Sequence, residues 1–128
     1  MDVFIVEDSA AVRERLISEL EELPDVRVVG WADGADEATA AIKRLKPRFV
    51  VLDLRLSQGS GLFVLEAIKR FVATPVVAVL TNYPDEQYRA RCAELGADYF
   101  FDKAAGVDAL FKAVRGLSGN PRREGACA

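Results

Sequence analysis

Four polar stretches follow apolar runs without a gap. Glu7-Asp8 follows Val3-Phe4-Ile5-Val6, Asp53 follows Phe49-Val50-Val51-Leu52, Thr81-Asn82 follows Val76-Val77-Ala78-Val79-Leu80, and Asp102-Lys103 follows Tyr99-Phe100-Phe101. Taken singly, each has an ordinary explanation: an acidic pair caps a helix, a threonine opens a turn, a lysine is solvated. Taken together they offer three carboxylates, a hydroxyl and an ammonium. Glu7, Asp8 and Asp53 at close quarters do not all stay ionised without a cation, because clustered carboxylates raise one another's pKa. Lys103 and a divalent ion together balance the three charges. An all-oxygen donor set suits magnesium, which keeps several waters and accepts carboxylates alongside phosphate oxygens. Magnesium beside a nucleophilic carboxylate is the equipment of in-line phosphoryl transfer, with Asp53 as acceptor. Phosphorylation replaces one negative charge by about −1.5 to −2, and Thr81 and Lys103 are the groups suited to answer it.

This chemistry requires a fold that makes neighbours of residues far apart in the chain, such as Asp8 and Asp53. The first three apolar runs, with Val26 to Ala32, read as strands buried on both faces; Tyr99-Phe100-Phe101, the fifth strand, is short but strongly β-prone. Strand starts at residues 3, 27, 49, 76 and 99 leave room for a helix in every interval, as parallel pairing demands. The intervals carry helical periodicity. Ser9 to Leu23 places Val12, Leu16, Ile17, Leu20 and Leu23 on one face, with Ser9 as cap and Pro24 as stop. Ala38, Ala41, Ile42 and Leu45 form a second stripe, Leu62, Leu65, Ile68 and Phe71 a third, and Val107, Leu110, Phe111, Val114 and Leu117 a fifth. The fourth, Glu86 to Leu95, has only Tyr88, Cys92 and Leu95 as apolar points and is the element expected to move. Five alternations predict an α/β sandwich with a parallel sheet and right-handed crossovers, and no repeat consensus supports a solenoid instead. Strand carboxyl ends of such a sheet share one edge, where ligands bind. Residues 1–117 read as one domain and 118–128 as a flexible C-terminal tail.

Composition narrows the function further. The 128 residues carry 20 acidic and 17 basic side chains, a net charge of −3, so no basic footprint for nucleic acid exists. No histidine is present, which removes every mechanism that needs an imidazole on this chain. Two cysteines make neither a disulfide framework nor a zinc cluster. No apolar run approaches the ~20 residues of a bilayer span. The start lacks a signal-peptide pattern, so the expected location is the cytoplasm, with no membrane association.

The motifs Val6-Glu7-Asp8, Val50-Val51-Leu52-Asp53-Leu54, Ser60-Gly61-Leu62, Leu80-Thr81-Asn82, Gly96-Ala97-Asp98 and Phe101-Asp102-Lys103 together resemble the receiver domain of two-component response regulators, over residues 2 to about 117. The resemblance implies a flavodoxin-like (βα)5 three-layer sandwich with a five-stranded parallel sheet in order 2-1-3-4-5. It implies Asp53 as phosphoacceptor. Asp8, Asp53 and the backbone carbonyl of Arg55 become magnesium ligands, with Glu7 bound directly or through water. Thr81 and Lys103 would bind the phosphoryl oxygens, and the switch pair would be Thr81 and Phe100. Phe100 has no phenolic hydroxyl, so an inward position needs no hydrogen-bond partner.

Several positions depart from the family pattern. Ser57 replaces a common proline, so Leu56 to Gly59 is expected to be slack. Ala104 replaces the proline that usually follows the lysine. The family bond there is often cis, which costs about 3 to 4 kcal/mol without proline. Asn82 is larger than the usual residue after the threonine. Arg55 and Tyr83 flank the path of a hydrolytic water, and their bulk is expected to lengthen the phosphorylated lifetime.

The expected function is a stand-alone phosphorylation switch, not an enzyme acting on a separate substrate: it catalyses only its own phosphorylation and dephosphorylation. The phosphoryl group comes from a sensor histidine kinase or a histidine phosphotransfer protein. Output passes to a protein target through helix 4, strand 5 and helix 5, about residues 84 to 117, with homodimerisation left open. The alternative is a degenerate receiver acting as a phosphorylation-independent interaction module. A further alternative is that the chain is the receiver part of a longer regulator. An aspartyl phosphatase is disfavoured by Arg55, where a second acid is wanted, and a flavin carrier by Glu7-Asp8-Ser9, which would repel phosphate.

Overall fold

A computed structural model describes residues 1–82 and 84–118. Tyr83 and the tail from 119 onward lie outside the described residues. Five strands, β1 (Asp2–Val6), β2 (Arg27–Ala32), β3 (Phe49–Leu52), β4 (Val76–Thr81) and β5 (Tyr99–Asp102), alternate with five helices, α1 (Ala10–Glu21), α2 (Ala35–Leu45), α3 (Gly61–Ile68), α4 (Glu86–Glu94) and α5 (Val107–Ser118). Ser118, read from sequence as the first residue of the tail, is instead the last of α5; its hydroxyl donates to the Arg115 carbonyl at 3.2 Å.

All strand pairs are parallel and the sheet runs β2-β1-β3-β4-β5, as the resemblance implied. The strand period of two divides each central run between two cores. Val3 and Ile5, Phe49 and Val51, and Ala78 and Leu80 pack with Leu16, Leu20, Leu110 and Val114 under α1 and α5. Phe4 and Val6, Val50 and Leu52, and Val77 and Val79 pack with Ala38, Ile42, Leu65 and Ile68 on the opposite side. Three layers follow directly from that alternation. β2 departs from the sequence reading. It is an edge strand with Arg27 exposed and Trp31 46% exposed rather than a strand buried on both faces. β5, the other edge, is only half-buried.

Local sequence sets the helix starts. The hydroxyls of Ser9 and Ser60 accept from the amides of Val12 and Leu62 at 3.4 and 3.1 Å, and the Asp85 carboxylate accepts from Tyr88 at 3.0 Å. α4 buries only Cys92 among its nine residues. Among the described residues every peptide bond is trans, Lys103–Ala104 included.

Candidate functional site

The pleat decides which site residues share a side of the sheet. Tyr99 and Phe101 of β5 face the α1–α5 core, so Lys103 continues on that side; Glu7 and Asp53 follow Ile5 and Val51 in the same parity. Phe100 packs with the opposite core, and Thr81 follows Val77 and Val79 in that parity. One sheet edge therefore carries a trio on one side and a pair on the other.

The trio is tightly joined. Lys103 Nζ lies 2.7 Å from Glu7 Oε1 and 3.1 Å from Asp53 Oδ2. Glu7 is 2% exposed and Asp53 7% exposed, while Asp8 is exposed. Backbone bonds hold the strand ends in place. Glu7 N donates to Ala32 O and Asp53 N to Val6 O, both at 3.0 Å, and Lys103 N donates to Thr81 O at 2.7 Å. With its trans bond to Ala104, Lys103 still reaches both carboxylates. The Ala104 amide donates to Asp102 Oδ1 at 2.9 Å, which fixes the turn that follows.

Burial pushes the Glu7 carboxyl above its ordinary range; the Lys103 hydrogen bond and the Ser9 amide, at 3.0 Å from Oε2, pull it back only in part. The Asp53 charge adds to the rise as a smaller cause, so desolvation rather than mutual repulsion dominates here. For Lys103 the balance runs the other way. Burial disfavours its charge, but the Glu7 hydrogen bond and the neighbouring Asp53 charge overcome it and hold the ammonium above the usual lysine value.

One carboxylate oxygen from each of Glu7, Asp8 and Asp53 lies within 4.8 Å of the other two. Ligands sharing one magnesium at ~2.1 Å stand at most about 4.2 Å apart, so a cluster of this size could hold such an ion. The donors are hard oxygens, as that ion requires. Arg55 is exposed and bridges Ser60 across the loop. Thr81 is fully buried at the end of β4. Phe100 is half-buried rather than sealed inward, and the Arg89 guanidinium stands 4.6 Å from its ring centroid. A cation over the ring face gives this half-buried ring a partner on its exposed side.

Three features escaped the sequence reading. Arg13 donates to the Glu7 carbonyl at 3.0 Å and stacks 3.6 Å from the Trp31 ring centroid, tying α1 to the strand end that bears Glu7; its spacing from Glu7 carries no pattern. Gly61 starts α3 so close to the acceptor strand that a Cβ would fall 2.1 Å from the Asp53 carbonyl oxygen. The Ser60-Gly61 motif was visible, but not its steric reason. The loop after Asp53, expected to be slack, is anchored. The Ala35 amide donates to Gln58 O at 2.8 Å, the Ser57 hydroxyl donates to Asp33 O at 3.2 Å, and Gly61 N donates to Leu54 O at 2.9 Å. Serine supplies by hydrogen bonding the order that proline would supply by stiffness.

A doubly wound parallel sheet thus carries an acidic cluster, a threonine and a lysine at its carboxyl edge. Residues 3–115 match the response regulator receiver domain, and the chain belongs to that family. It is 32% identical over 116 residues to protein-glutamate methylesterase/protein-glutamine glutaminase 3 of Geobacter sulfurreducens, covering 91% of this chain and 29% of the relative. It is 34% identical over 120 residues to protein-glutamate methylesterase/protein-glutamine glutaminase 1 of Methanospirillum hungatei, covering 91% and 34%. The chain thus spans about a third of the length of these curated relatives. Among solved structures, the response regulator domain of Thermotoga maritima CheB superposes with a TM-score of 0.84 at 23% identity, covering 93% of this chain and 96% of that one. The Mn(2+)-bound form of response regulator Rcp1 gives a TM-score of 0.72 at 28% identity, covering 91% and 90%. Among the described residues, no helix is long and apolar enough to cross a membrane.

Proposed function

We propose that this chain is a magnesium-dependent phosphorylation switch whose acceptor is Asp53. The observation that carries the reading is Lys103 Nζ bridging Glu7 and Asp53, two of three clustered carboxylates. Magnesium, when bound, neutralises charge on the transferring phosphoryl group. Both Glu7 oxygens are already engaged, by Lys103 and by the Ser9 amide. That favours Asp8 and Asp53 as the direct carboxylate ligands, with the Arg55 carbonyl beside them and Glu7 acting through water. The manganese named for Rcp1 is consistent with an oxygen-donor site of this kind.

In the reaction, an Asp53 carboxylate oxygen attacks phosphorus in line with the donor bond. The phosphorus–nitrogen bond of a phosphohistidine breaks, its electron pair leaves with the imidazole, and an acyl phosphate forms on Asp53. Lys103 transfers its hydrogen bond from the carboxylate to a phosphoryl oxygen, and the Thr81 hydroxyl takes another. The donor histidine belongs to a sensor kinase or a phosphotransfer protein, since this chain has none. No separate substrate is turned over; the chain catalyses only its own phosphorylation and dephosphorylation. It works in the cytoplasm and signals by contact through α4, β5 and α5, where Phe100 and Arg89 lie. Whether the listener is a separate protein or a domain on the same polypeptide, as in the longer methylesterase relatives, does not alter the chemistry.

Incubation with a small acyl phosphate tests this. A phosphoryl mass increment is expected on wild type with magnesium, and none with chelator or in Asp53→Asn. No increment on folded wild type would instead favour a phosphorylation-independent interaction module.

A further inference from the structure

The groove between α2 and α3 has opposite charge at its two ends. Near the helix starts, a depression of about 440 Å³ is lined by Asp36, Glu37, Gln58 and Phe63. Near the helix ends, a second of about 370 Å³ is lined by Lys43, Lys46, Arg70, Phe71 and Val72. Asp36 and Lys43 are seven residues apart, two helical turns, and so share the outer face of α2; Phe63 and Arg70 have the same spacing along α3 and its exit. Complementing the dipole of α2 accounts for Asp36 and Glu37 in its first turn and Lys43 in its last. The same effect reaches Lys46 at the α2 C-cap and Arg70 just past the α3 C-cap, but it does not account for the apolar exposure. Phe63 is 56% and Val72 fully exposed, two of three large exposed apolar side chains among the described residues, and one lies in each depression.

We propose that this face pairs two copies of the chain about a two-fold axis that runs across the helices. An isologous contact must be self-complementary, and two orientations of the axis exist. With the axis parallel to the helices, acidic end meets acidic end and basic meets basic, which is repulsive. With the axis across them, α2 packs antiparallel on α2 and α3 on α3. Asp36 and Glu37 of one copy then meet Lys43 of the other, and Phe63 meets Arg70, a favourable aromatic–guanidinium pairing. Thr39 and Ala40 fall near the axis, where short side chains allow close approach. Glu66, also central, is occupied within its own chain by Arg70 and Arg91 at 3.8 and 3.9 Å. Two short helices present a face of roughly 16 by 20 Å, below the ~800 Å² per partner of a standard interface. The dimer is therefore weak and salt-sensitive, and it leaves α4, β5 and α5 uncovered.

Sedimentation velocity over a concentration series up to the millimolar range tests the pairing, using unphosphorylated chain so that the result is independent of the Asp53 reading. Wild type is expected to self-associate, less so in high salt. Asp36→Lys/Glu37→Lys carries two basic ends and Lys43→Glu/Arg70→Glu two acidic ends, so each alone is expected to lose association. Their equimolar mixture restores both acid–base contacts and one of the two Phe63–Arg70 pairings, and is expected to associate again. Circular dichroism establishes that each variant is folded. Wild type monomeric throughout, folded variants that associate like wild type, or a mixture that stays monomeric would each overturn the proposal.

Discussion

On the α1–α5 side of the sheet's carboxyl edge, Glu7, Asp53 and Lys103 are joined by ion pairs of 2.7 and 3.1 Å and backed by backbone bonds to neighbouring strand ends. On the other side lie Thr81 and Phe100, and the Phe100 ring is met by Arg89 of α4, a helix with one buried side chain. The two regions lie within one strand of each other yet are built differently. The chemical side is over-determined, so its geometry is present before any ligand arrives. The switch side has little apolar contact to give up, and elements of low local stability are those that move. A phosphoryl group can bias such an element only by the difference in affinity between its states.

The largest expected effect comes from removing the cation at the centre of the trio. Lys103→Met leaves Glu7 and Asp53 buried without their partner, and in metal-free buffer at neutral pH the loss is expected to be about 3 to 5 kcal/mol by urea denaturation. The pH dependence has a definite sign. Lys103 has its folded pKa raised above the ordinary 10.5, so its stabilisation of wild type is fully present below 10.5 and is lost as pH rises through the folded value. Glu7 has its folded pKa raised above the ordinary 4.5, so ionising it works against folding as pH climbs through the window above 4.5. The deficit of Lys103→Met is therefore widest near neutrality and narrows at both extremes. A deficit that does not vary with pH would locate the damage in packing rather than in charge.

Next comes the contact of α3 with the acceptor strand. A Cβ at position 61 meets the Asp53 carbonyl oxygen at 2.1 Å and the Leu54 Cα at 2.8 Å, both backbone atoms that cannot swing aside. Gly61→Ala is expected to cost about 2 to 3 kcal/mol, and to slow acyl phosphate uptake because the Asp53 strand end must shift. Normal stability would mean that the edge yields more readily than its bonding indicates.

Cys92 reports on the other side. Burial pushes its thiol up to about 11, so in a Cys127→Ser background alkylation at pH 8 is expected to be slower than for a free thiol by on the order of a hundredfold from ionisation alone. Labelling should nevertheless proceed at urea concentrations below the global transition, since α4 can open without the rest. Labelling that tracks global unfolding would erase the contrast between the two regions.

How far these features were legible follows from their physical origin. Central strands announce themselves, because burial on both faces requires unbroken apolar runs, as in Phe49 to Leu52. β2 has a similar run and was misread, since an edge position is decided by strand order rather than by the strand's own residues. The trio and Thr81 were visible because polar groups directly after buried strands land on one edge. Arg13 and the reason for Gly61 were not, because each depends on how closely α1 or α3 approaches a strand end. The loop at Ser57 was misjudged for the same reason: its order comes from Asp33 and Ala35, residues more than twenty positions earlier.

The smallest expected effect bears most directly on the switch. Arg89 sits 4.6 Å over the Phe100 ring and also 3.9 Å from Glu86, an exposed pair that contributes little. Arg89→Ala is expected to lower stability by no more than about 1 kcal/mol, the usual range for an exposed cation–π contact. Its functional consequence is larger than that figure suggests. On the proposed switch reading, releasing Phe100 from Arg89 frees its ring to pack further into the α4-side core, and phosphorylation is then expected to have less to overcome there. Amide exchange across α4 and β5 in Arg89→Ala should then resemble that of phosphorylated wild type before any phosphoryl donor is added. Exchange unchanged from unphosphorylated wild type would show that Arg89 merely covers the ring, and that the position of Phe100 is set from within the sheet.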